Sequence, residues 1–228
     1  MDPHLEPVHT SRGTNGYISV RDNTSDMSLV FGSFSNRWTL GDDEYGLKDL
    51  TVEGVFVDVG AHIGIISLAV LLDNPKATAI LVEPIPENVA LARRTMMANT
   101  LDGRVKFVEA AVGSGTIRYG GVDADDRFVG NIATHSGHVI QAKVVTLAQL
   151  VKMAGGHIAA MKVDCEGGEW EFLNSKALKD VGLIFGEWHG SGSDYNGPDR
   201  LRGLLDATHE IVNLTDVGGI GLFWAVPR

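Results

Sequence analysis

The stretch VFVDVGAHIGIISLAVLL, residues 55–72, contains the residues that decide the fold. Its first apolar run ends at Asp58, Gly60 and Gly64 bracket a short turn, and apolar residues at helical spacing follow. This order predicts a strand, a tight loop and a helix. In an open parallel sheet such a loop lies beyond the carboxyl ends of the strands, where a ligand can approach the backbone of its glycines.

Strand-like and helix-like segments alternate from about residue 55 onward, which predicts the α/β class. We predict strands at 55–58, 79–83, 105–110, 159–164 and 183–188, helices at 65–72, 86–99, 147–153, 170–173 and 198–207, and a closing antiparallel hairpin within 209–228. Together they give a doubly wound, mostly parallel seven-stranded sheet with a C-terminal antiparallel hairpin. Residues 115–121 and 141–147 are expected to add extended pieces.

The first fifty residues are richer in polar and turn residues, with isolated aromatics at Tyr17, Phe31, Phe34 and Trp38. We expect residues 1–50 to form an irregular cover segment and residues 51–228 to form the main domain.

Composition excludes several classes of protein. With 228 residues, 44% of them hydrophobic, the chain can bury one sizeable core. No window reaches the roughly 18 apolar residues of a membrane span, and the N-terminus lacks signal-peptide features, so a cytoplasmic protein without a membrane partner is expected. A single cysteine, Cys165, rules out an intramolecular disulfide. The net charge of -10 repels phosphate backbones and disfavours nucleic acid as a partner. Self-association into a homo-oligomer stays open.

The sequence of the loop after the first strand indicates which nucleotide-like ligand can bind beside it. A nicotinamide fingerprint has a glycine two residues after Gly60, but this chain has His62 there. Glu83, at the end of the second strand, can accept hydrogen bonds from both hydroxyls of a ribose. Ribose without pyrophosphate favours S-adenosylmethionine. The alternative is that the glycines serve only packing and the acid is merely solvated. The residues expected to contact the cofactor are Asp58, Gly60, His62, Gly64, Glu83, Pro84, Glu109 and Ala110.

Three separated blocks resemble one family. VFVDVGAHIGIISL at 55–68, LVEPIPENVALARRTMMANT at 81–100, and VVTLAQL at 144–150 followed by AAMKVDCEGGEWEFL at 159–173 are similar, in order, to the motifs of the FkbM methyltransferases. The resemblance implies a class I, S-adenosylmethionine-dependent enzyme. It also implies O-methylation of a small-molecule acceptor such as a sugar, an antibiotic or another natural product.

Polar side chains at the ends of the fourth and fifth strands are the catalytic candidates. Asp164 ends the fourth strand, while Glu187 and His189 alternate around Trp188 and therefore share a face. An alcohol is a weak nucleophile until its proton is removed or a cation lowers its pKa. Either His189 is a general base, or Asp164, Glu187 and His189 hold a divalent cation such as magnesium or manganese. Both hypotheses stay open.

Several neighbouring polar residues have ordinary explanations. Glu166 and Glu169 suit the first turn of a helix without any function, and Lys162 could pair with a carboxylate or give structural support. His135 and His138 are expected in a connecting loop.

Two other functions compete with methyl transfer. A catalytically degenerate cofactor-binding module is disfavoured by the acids that end the first, second and fourth strands. An NAD-dependent nucleotide-sugar enzyme is disfavoured by the missing glycine at position 62.

Overall fold

The computed structural model describes residues 3–22, 24, 26–31, 39–40, 45–113, 116–119, 138–190 and 196–228. Phe34, Trp38 and His135 lie outside the described residues. The strands are β1 His4–Thr10, β2 Asn15–Val20, β3 Thr39–Leu40, β4 Gly54–Val59, β5 Ala77–Val82, β6 Val105–Val108, β7 Thr116–Tyr119, β8 His138–Gln141, β9 Ile158–Val163, β10 Val181–His189, β11 His209–Leu214 and β12 Ile220–Pro227. The helices are α1 Asp26–Phe31, α2 Ile65–Asp73, α3 Pro86–Ala98, α4 Leu147–Met153, α5 Glu169–Phe172 and α6 Gly197–Leu205.

Seven strands form the main sheet, in the order β11-β12-β10-β9-β4-β5-β6. The five strands from β10 to β6 pair in parallel, whereas β12 is antiparallel to both of its neighbours. The predicted α/β class, the mostly parallel seven-stranded sheet and its C-terminal antiparallel hairpin are therefore confirmed. The third predicted strand is shorter than expected, because it ends at Val108 and leaves Glu109 and Ala110 in the following loop.

Both faces of the sheet are buried, as a doubly wound fold requires. Phe56 packs on one face with α2, α3 and the N-terminal strands, while its neighbour Val57 packs on the other face with α4, α5 and α6. This burial on both sides explains why the strands read as continuous apolar runs.

Helix α4 starts where the sequence changes from extended to helical character. Thr146 caps its first turn, since its hydroxyl accepts from the backbone N–H of Gln149 and the Gln149 side chain accepts from the backbone of Thr146. The extended piece predicted at 141–147 is therefore mostly wrong: β8 ends at Gln141 and only Val144 makes a bridge, to Ala111. His138, expected in a loop, is the first residue of β8.

The described part of the N-terminal segment contains regular strands, contrary to the expectation of an irregular cover. Strands β1 and β2 form an antiparallel hairpin, and Ile18 and Val20 are fully buried in the same core as α2 and α3. The prediction failed because polar residues and Pro7 interrupt the apolar alternation of β1.

Strand β2 is an edge strand, and polar groups of α3 cover it. The backbone N–H of Ser19 donates to the Thr95 hydroxyl at 3.0 Å, and that of Tyr17 donates to the Asn99 side-chain oxygen at 2.8 Å. The Asn99 amide returns a hydrogen bond to the carbonyl of Tyr17. These bonds satisfy backbone groups that an edge strand would otherwise expose.

The helices of the described ranges include none with the length and hydropathy of a membrane span.

Candidate active site

The strand order reverses between β4 and β9, and the candidate site lies where these two strands end. In open α/β sheets ligands bind at this switch point, outside the carboxyl ends of the strands. The backbone N–H of Asp164 donates to the carbonyl of Val59, which joins the two strand ends.

Residues 60–64, which we call the cofactor loop, turn sharply between β4 and α2. Gly60, His62 and Gly64 all have positive φ, at 75°, 49° and 85°. A Cβ atom at Gly60 would overlap the carbonyl oxygen of Asp164, so only glycine fits there. The backbone N–H groups of Gly60 and Ala61 both donate to Val82, which ties the loop to the end of β5. The glycine turn predicted from the sequence is present.

Glu83 follows β5 and fastens the cofactor loop. Its carboxylate accepts from the backbone N–H groups of His62, at 2.9 Å, and Ile85, at 3.1 Å, and from the Asn88 amide. The side chain is 6% exposed, and burial raises the pKa of Glu83 to about 7. A carboxylate can accept about four hydrogen bonds, so capacity remains for a ligand hydroxyl. The predicted contact with ribose stays a prediction.

Asp58 and Lys162 form a buried pair beside the loop. Asp58 is fully buried and accepts from the Ser67 hydroxyl at 2.7 Å, so it supports the loop from the core side. The Lys162 ammonium lies 3.6 Å from Asp58 and 3.3 Å from Asp164, and donates to the carbonyl of Gly60 at 2.9 Å. Lys162 therefore pairs with carboxylates, one of the two possibilities open from the sequence.

The imidazole of His62, in the cofactor loop, lacks hydrogen-bond partners among the described residues. Both ring nitrogens are buried and make no hydrogen bond within the described residues, although Nε2 lies 3.8 Å from Asp26. Burial lowers the pKa of His62 to about 4, so the ring is neutral at pH 7. A buried polar atom without a partner calls for an explanation. A ligand beside the loop could supply the missing hydrogen bonds, which fits the expectation that His62 contacts the cofactor.

The N-terminal segment reaches the same place. Arg21 forms a two-bond ion pair with the fully buried Asp26 and also donates to the Asn88 side chain. Asn88 in turn bonds to Glu83. The cofactor loop, Glu83 and the N-terminal segment thus belong to one polar network.

A second group of side chains converges at the ends of β9 and β10. Donor atoms of Asp164, Glu166 and His189 all lie within 4.8 Å of one another, and Glu187 lies 3.7 Å from His189. We call these four residues the acid–imidazole cluster. Strand alternation correctly placed Glu187 and His189 on one face. Glu166, which had an ordinary explanation from the sequence, is the residue that completes the close group of three.

His189 is oriented by a buried carboxylate. Glu169 is fully buried, and its Oε1 lies 2.9 Å from Nδ1 of His189, so Nε2 faces Glu166 at 3.5 Å and Glu187. Burial alone would lower the pKa of His189, but the hydrogen bond and charge of Glu169, together with the charges of Glu166 and Asp164, outweigh it and raise the pKa to about 9. The ring is therefore protonated at neutral pH, which disfavours a role as general base in this state.

Two carboxyl groups of the cluster differ in pKa. Burial tends to raise the pKa of Asp164, but Lys162, His189 and a hydrogen bond from Tyr45 hold it below its ordinary value. Burial raises the pKa of Glu166 to about 6. Glu166 also has a positive φ of 55°, which is uncommon for a residue with a side chain. Its carboxyl group enters the cluster from a turn held by Glu169, which accepts from the backbone N–H groups of Cys165 and Gly167.

The remaining predicted cofactor residues lie on the loops after β5 and β6. Pro84 is half-buried, Ala110 is buried and Glu109 is exposed. The backbone N–H of Glu83 donates to the carbonyl of Val108, which brings these loops together. Their contacts with the cofactor stay predictions.

Comparison with known proteins identifies the family of the chain. The family model of the methyltransferase FkbM domain matches residues 58–215, more than half of the chain. A search of curated proteins gave no match.

Among solved structures, the chain is similar to a proposed rRNA-methylase from Clostridium thermocellum, with 12% identity over 79% of this chain and 90% of that chain and a TM-score of 0.51. It is also similar to TrmN from Thermus thermophilus, with 14% identity, 80% and 46% coverage and a TM-score of 0.49, so it spans about half the length of that chain. A third is M. capricolum TrmK in complex with S-adenosyl-homocysteine, with 12% identity, 79% and 65% coverage and a TM-score of 0.48. At such identities the likeness shows only the fold. The family match goes further: the chain belongs to the FkbM methyltransferase family and is an S-adenosylmethionine-dependent methyltransferase.

Proposed function

We propose that this methyltransferase acts on a hydroxyl group of a small molecule such as a sugar or another natural product. The observation that carries the proposal is the acid–imidazole cluster, in which three donor groups meet within 4.8 Å beside the cofactor loop. Methyl transfer to a neutral alcohol requires groups that take or displace its proton.

S-adenosylmethionine, when bound, supplies a methyl group on a sulfonium, which is already activated for transfer. The chain's own residues must therefore activate the acceptor oxygen. Glu169 fixes the His189 ring so that Nε2 faces the carboxylates, and Lys162 holds Asp164 beside them. Such a buried carboxylate behind an imidazole is typical of histidines that bind metals.

Asp164, Glu166 and His189 fit a divalent cation such as magnesium or manganese, because two carboxylates and one imidazole converge there. Since His189 is protonated at neutral pH, a cation would have to displace the proton from Nε2. Glu166 takes the place that the sequence assigned to Glu187 in this set. A cation held there would lower the pKa of the acceptor hydroxyl. Without a cation, a carboxylate of the cluster would receive the proton, since His189 is already protonated.

Charge supports a small acceptor over nucleic acid. The net charge of -10 gives the surface the wrong sign for phosphates, and some of its acids are concentrated in the cluster. We also propose that the protein is cytoplasmic. In the same proposal, residues 1–50 form a cover segment and residues 51–228 form the methyltransferase domain.

Incubation with methyl-labelled S-adenosylmethionine and a fractionated small-molecule extract tests the proposal. We expect label to enter a small molecule as a methyl ether, identified by mass. If a cation is used, chelation should stop this transfer but spare binding of S-adenosylmethionine, and magnesium or manganese should restore it. Label that enters only nucleic acid, or only nitrogen or carbon atoms of the product, would contradict O-methylation of a small molecule.

A further inference from the structure

Tyr45 belongs to the N-terminal segment, but its side chain contacts the acid–imidazole cluster. Its hydroxyl donates to Oδ2 of Asp164 at 3.0 Å, across 119 residues of sequence.

The ring of Tyr45 is fixed by packing. The side chain is 3% exposed, and its ring lies against Phe185 of β10, with centroids 5.8 Å apart and planes tilted by 56°. Phe185 itself stacks between Phe56 and Trp224. Gly46, with a φ of 63°, turns the chain directly after Tyr45 into a short 3-10 turn whose first residue, Leu47, is buried. The hydroxyl therefore has a fixed position.

Two donors act on the same oxygen of Asp164. The Lys162 ammonium lies 3.3 Å from Oδ2, and it also lies 5.9 Å from the centre of the Tyr45 ring. Oδ1 of Asp164 accepts no hydrogen bond from the described residues, and the Asp164 side chain is 24% exposed. Two donors on one oxygen restrict rotation of the carboxylate and leave the other oxygen available to an acceptor or a cation.

We infer that Tyr45 is a positioning residue of the methyl-transfer site, whose hydroxyl orients the Asp164 carboxylate toward the bound acceptor. This inference rests on the proposed function. It makes the N-terminal segment part of the catalytic apparatus and not only a cover. Tyr45 acts through Asp164, so its loss should affect the rate of transfer more than the binding of either substrate.

The variant Tyr45→Phe keeps the ring packed against Phe185 and removes only the hydroxyl. We would measure label transfer from methyl-labelled S-adenosylmethionine to the small-molecule extract, over a dilution series that gives a maximum rate and a half-saturating dilution. The maximum rate should fall by about 10-fold or more, the size expected when a positioned catalytic group is lost. The half-saturating dilution, the Kd of S-adenosylmethionine and the Tm should stay close to wild type.

Tyr17→Phe is the matched control, because Tyr17 lies on the same segment with its side chain 51% exposed. It should transfer label at the wild-type rate. If Tyr45→Phe also matches wild type, or if its loss of rate is accompanied by an equal loss of cofactor binding or of folding, the positioning role is wrong while the proposed function stands. If the wild-type protein itself methylates no hydroxyl in the extract, the proposed function fails and the inference is overturned with it.

Discussion

The Nδ1 atom of His189 lies 2.9 Å from Oε1 of Glu169, a carboxylate with no exposed surface. This contact fixes both the orientation and the charge of the imidazole, since Glu169 is the strongest of the groups that raise its pKa. Helix α5 and strand β10 are thereby joined at the point where the predicted catalytic residues meet.

Replacing Glu169 by glutamine should lower the pKa of His189 from about 9, because burial, which favours the neutral ring, is then opposed by fewer negative charges. Glutamine keeps an oxygen that can accept from Nδ1 and from the backbone N–H of Cys165. NMR titration of the His189 ring protons measures the change. The ring signals of His209, which bonds to the carbonyls of Val181 and Gly182, serve as the internal control and should be the same in both proteins. An unchanged His189 titration would contradict the electrostatic role of Glu169.

Glu83 should contribute strongly to cofactor binding. Loss of hydrogen bonds to a charged group costs about 1.5 to 3 kcal/mol, so Glu83→Ala should weaken binding of S-adenosylmethionine by about 10- to 150-fold in calorimetry. The same substitution also removes acceptors from His62, Ile85 and Asn88, so some loss of stability should accompany it. Glu87→Ala, at an exposed position in the first turn of α3, is the control. Wild-type affinity in a folded Glu83→Ala protein would show that Glu83 only fastens the loop.

Gly60 should tolerate no side chain. Gly60→Ala combines a positive φ of 75° with overlap between the new Cβ and the carbonyl oxygen of Asp164. Gly155 has a similar φ of 84° but open space around a Cβ, so Gly155→Ala measures the conformational cost alone, about 1 to 2 kcal/mol. Urea unfolding should show a markedly larger loss for Gly60→Ala. Equal losses at the two positions would mean that the strand ends can separate without cost.

His62 should make stability depend on pH. Its pKa is about 4 in the folded protein and about 6.5 in an unfolded chain, so between these values the unfolded state binds more protons. The contribution of His62 to the free energy of unfolding should therefore decrease as the pH falls from about 6.5 to 4, whereas Glu83, whose pKa burial raises to about 7, contributes in the opposite direction. His62→Asn removes the titrating ring and tolerates the positive φ, so the free energy of unfolding of wild type should fall relative to that of the variant as the pH is lowered over this window. Urea unfolding at several pH values gives the comparison, and identical slopes would argue against a neutral buried His62.

Nucleic acid should not bind tightly. The net charge of -10 predicts no retention of RNA or DNA in filter binding at low salt. A basic protein of similar size provides the positive control. Retention that weakens steeply as salt is added would overturn this prediction and the choice of a small acceptor with it.

Local patterns predicted the central sheet, because strands buried on both faces are continuous apolar runs and helices alternate with them. The same strand pattern predicted that Asp164, Glu187 and His189 lie at one edge of the sheet. It could not find Glu166, whose approach depends on a positive φ. It also could not find that Tyr45 reaches Asp164 or that Asp26 approaches His62, because these pairs are distant in sequence. The hairpin of β1 and β2 was missed because its stability comes from packing against α2 and α3, which no local window contains.

Because Thr95 and Asn99 cover the edge of β2, this edge is exposed during translation until they have been synthesised. The hairpin segment leaves the ribosome before helix α3. The residues that accept from the backbone N–H groups of β2 follow some 80 residues later. At about 5 to 20 residues per second, the edge of β2 stays open for roughly 4 to 16 s. During that interval the apolar residues and unpaired backbone groups of the β1–β2 segment can associate with the same segment of a neighbouring nascent chain. Emergence of α3 ends this period of exposure, so translation speed between Tyr17 and Asn99 should influence how much of the protein aggregates as it is made.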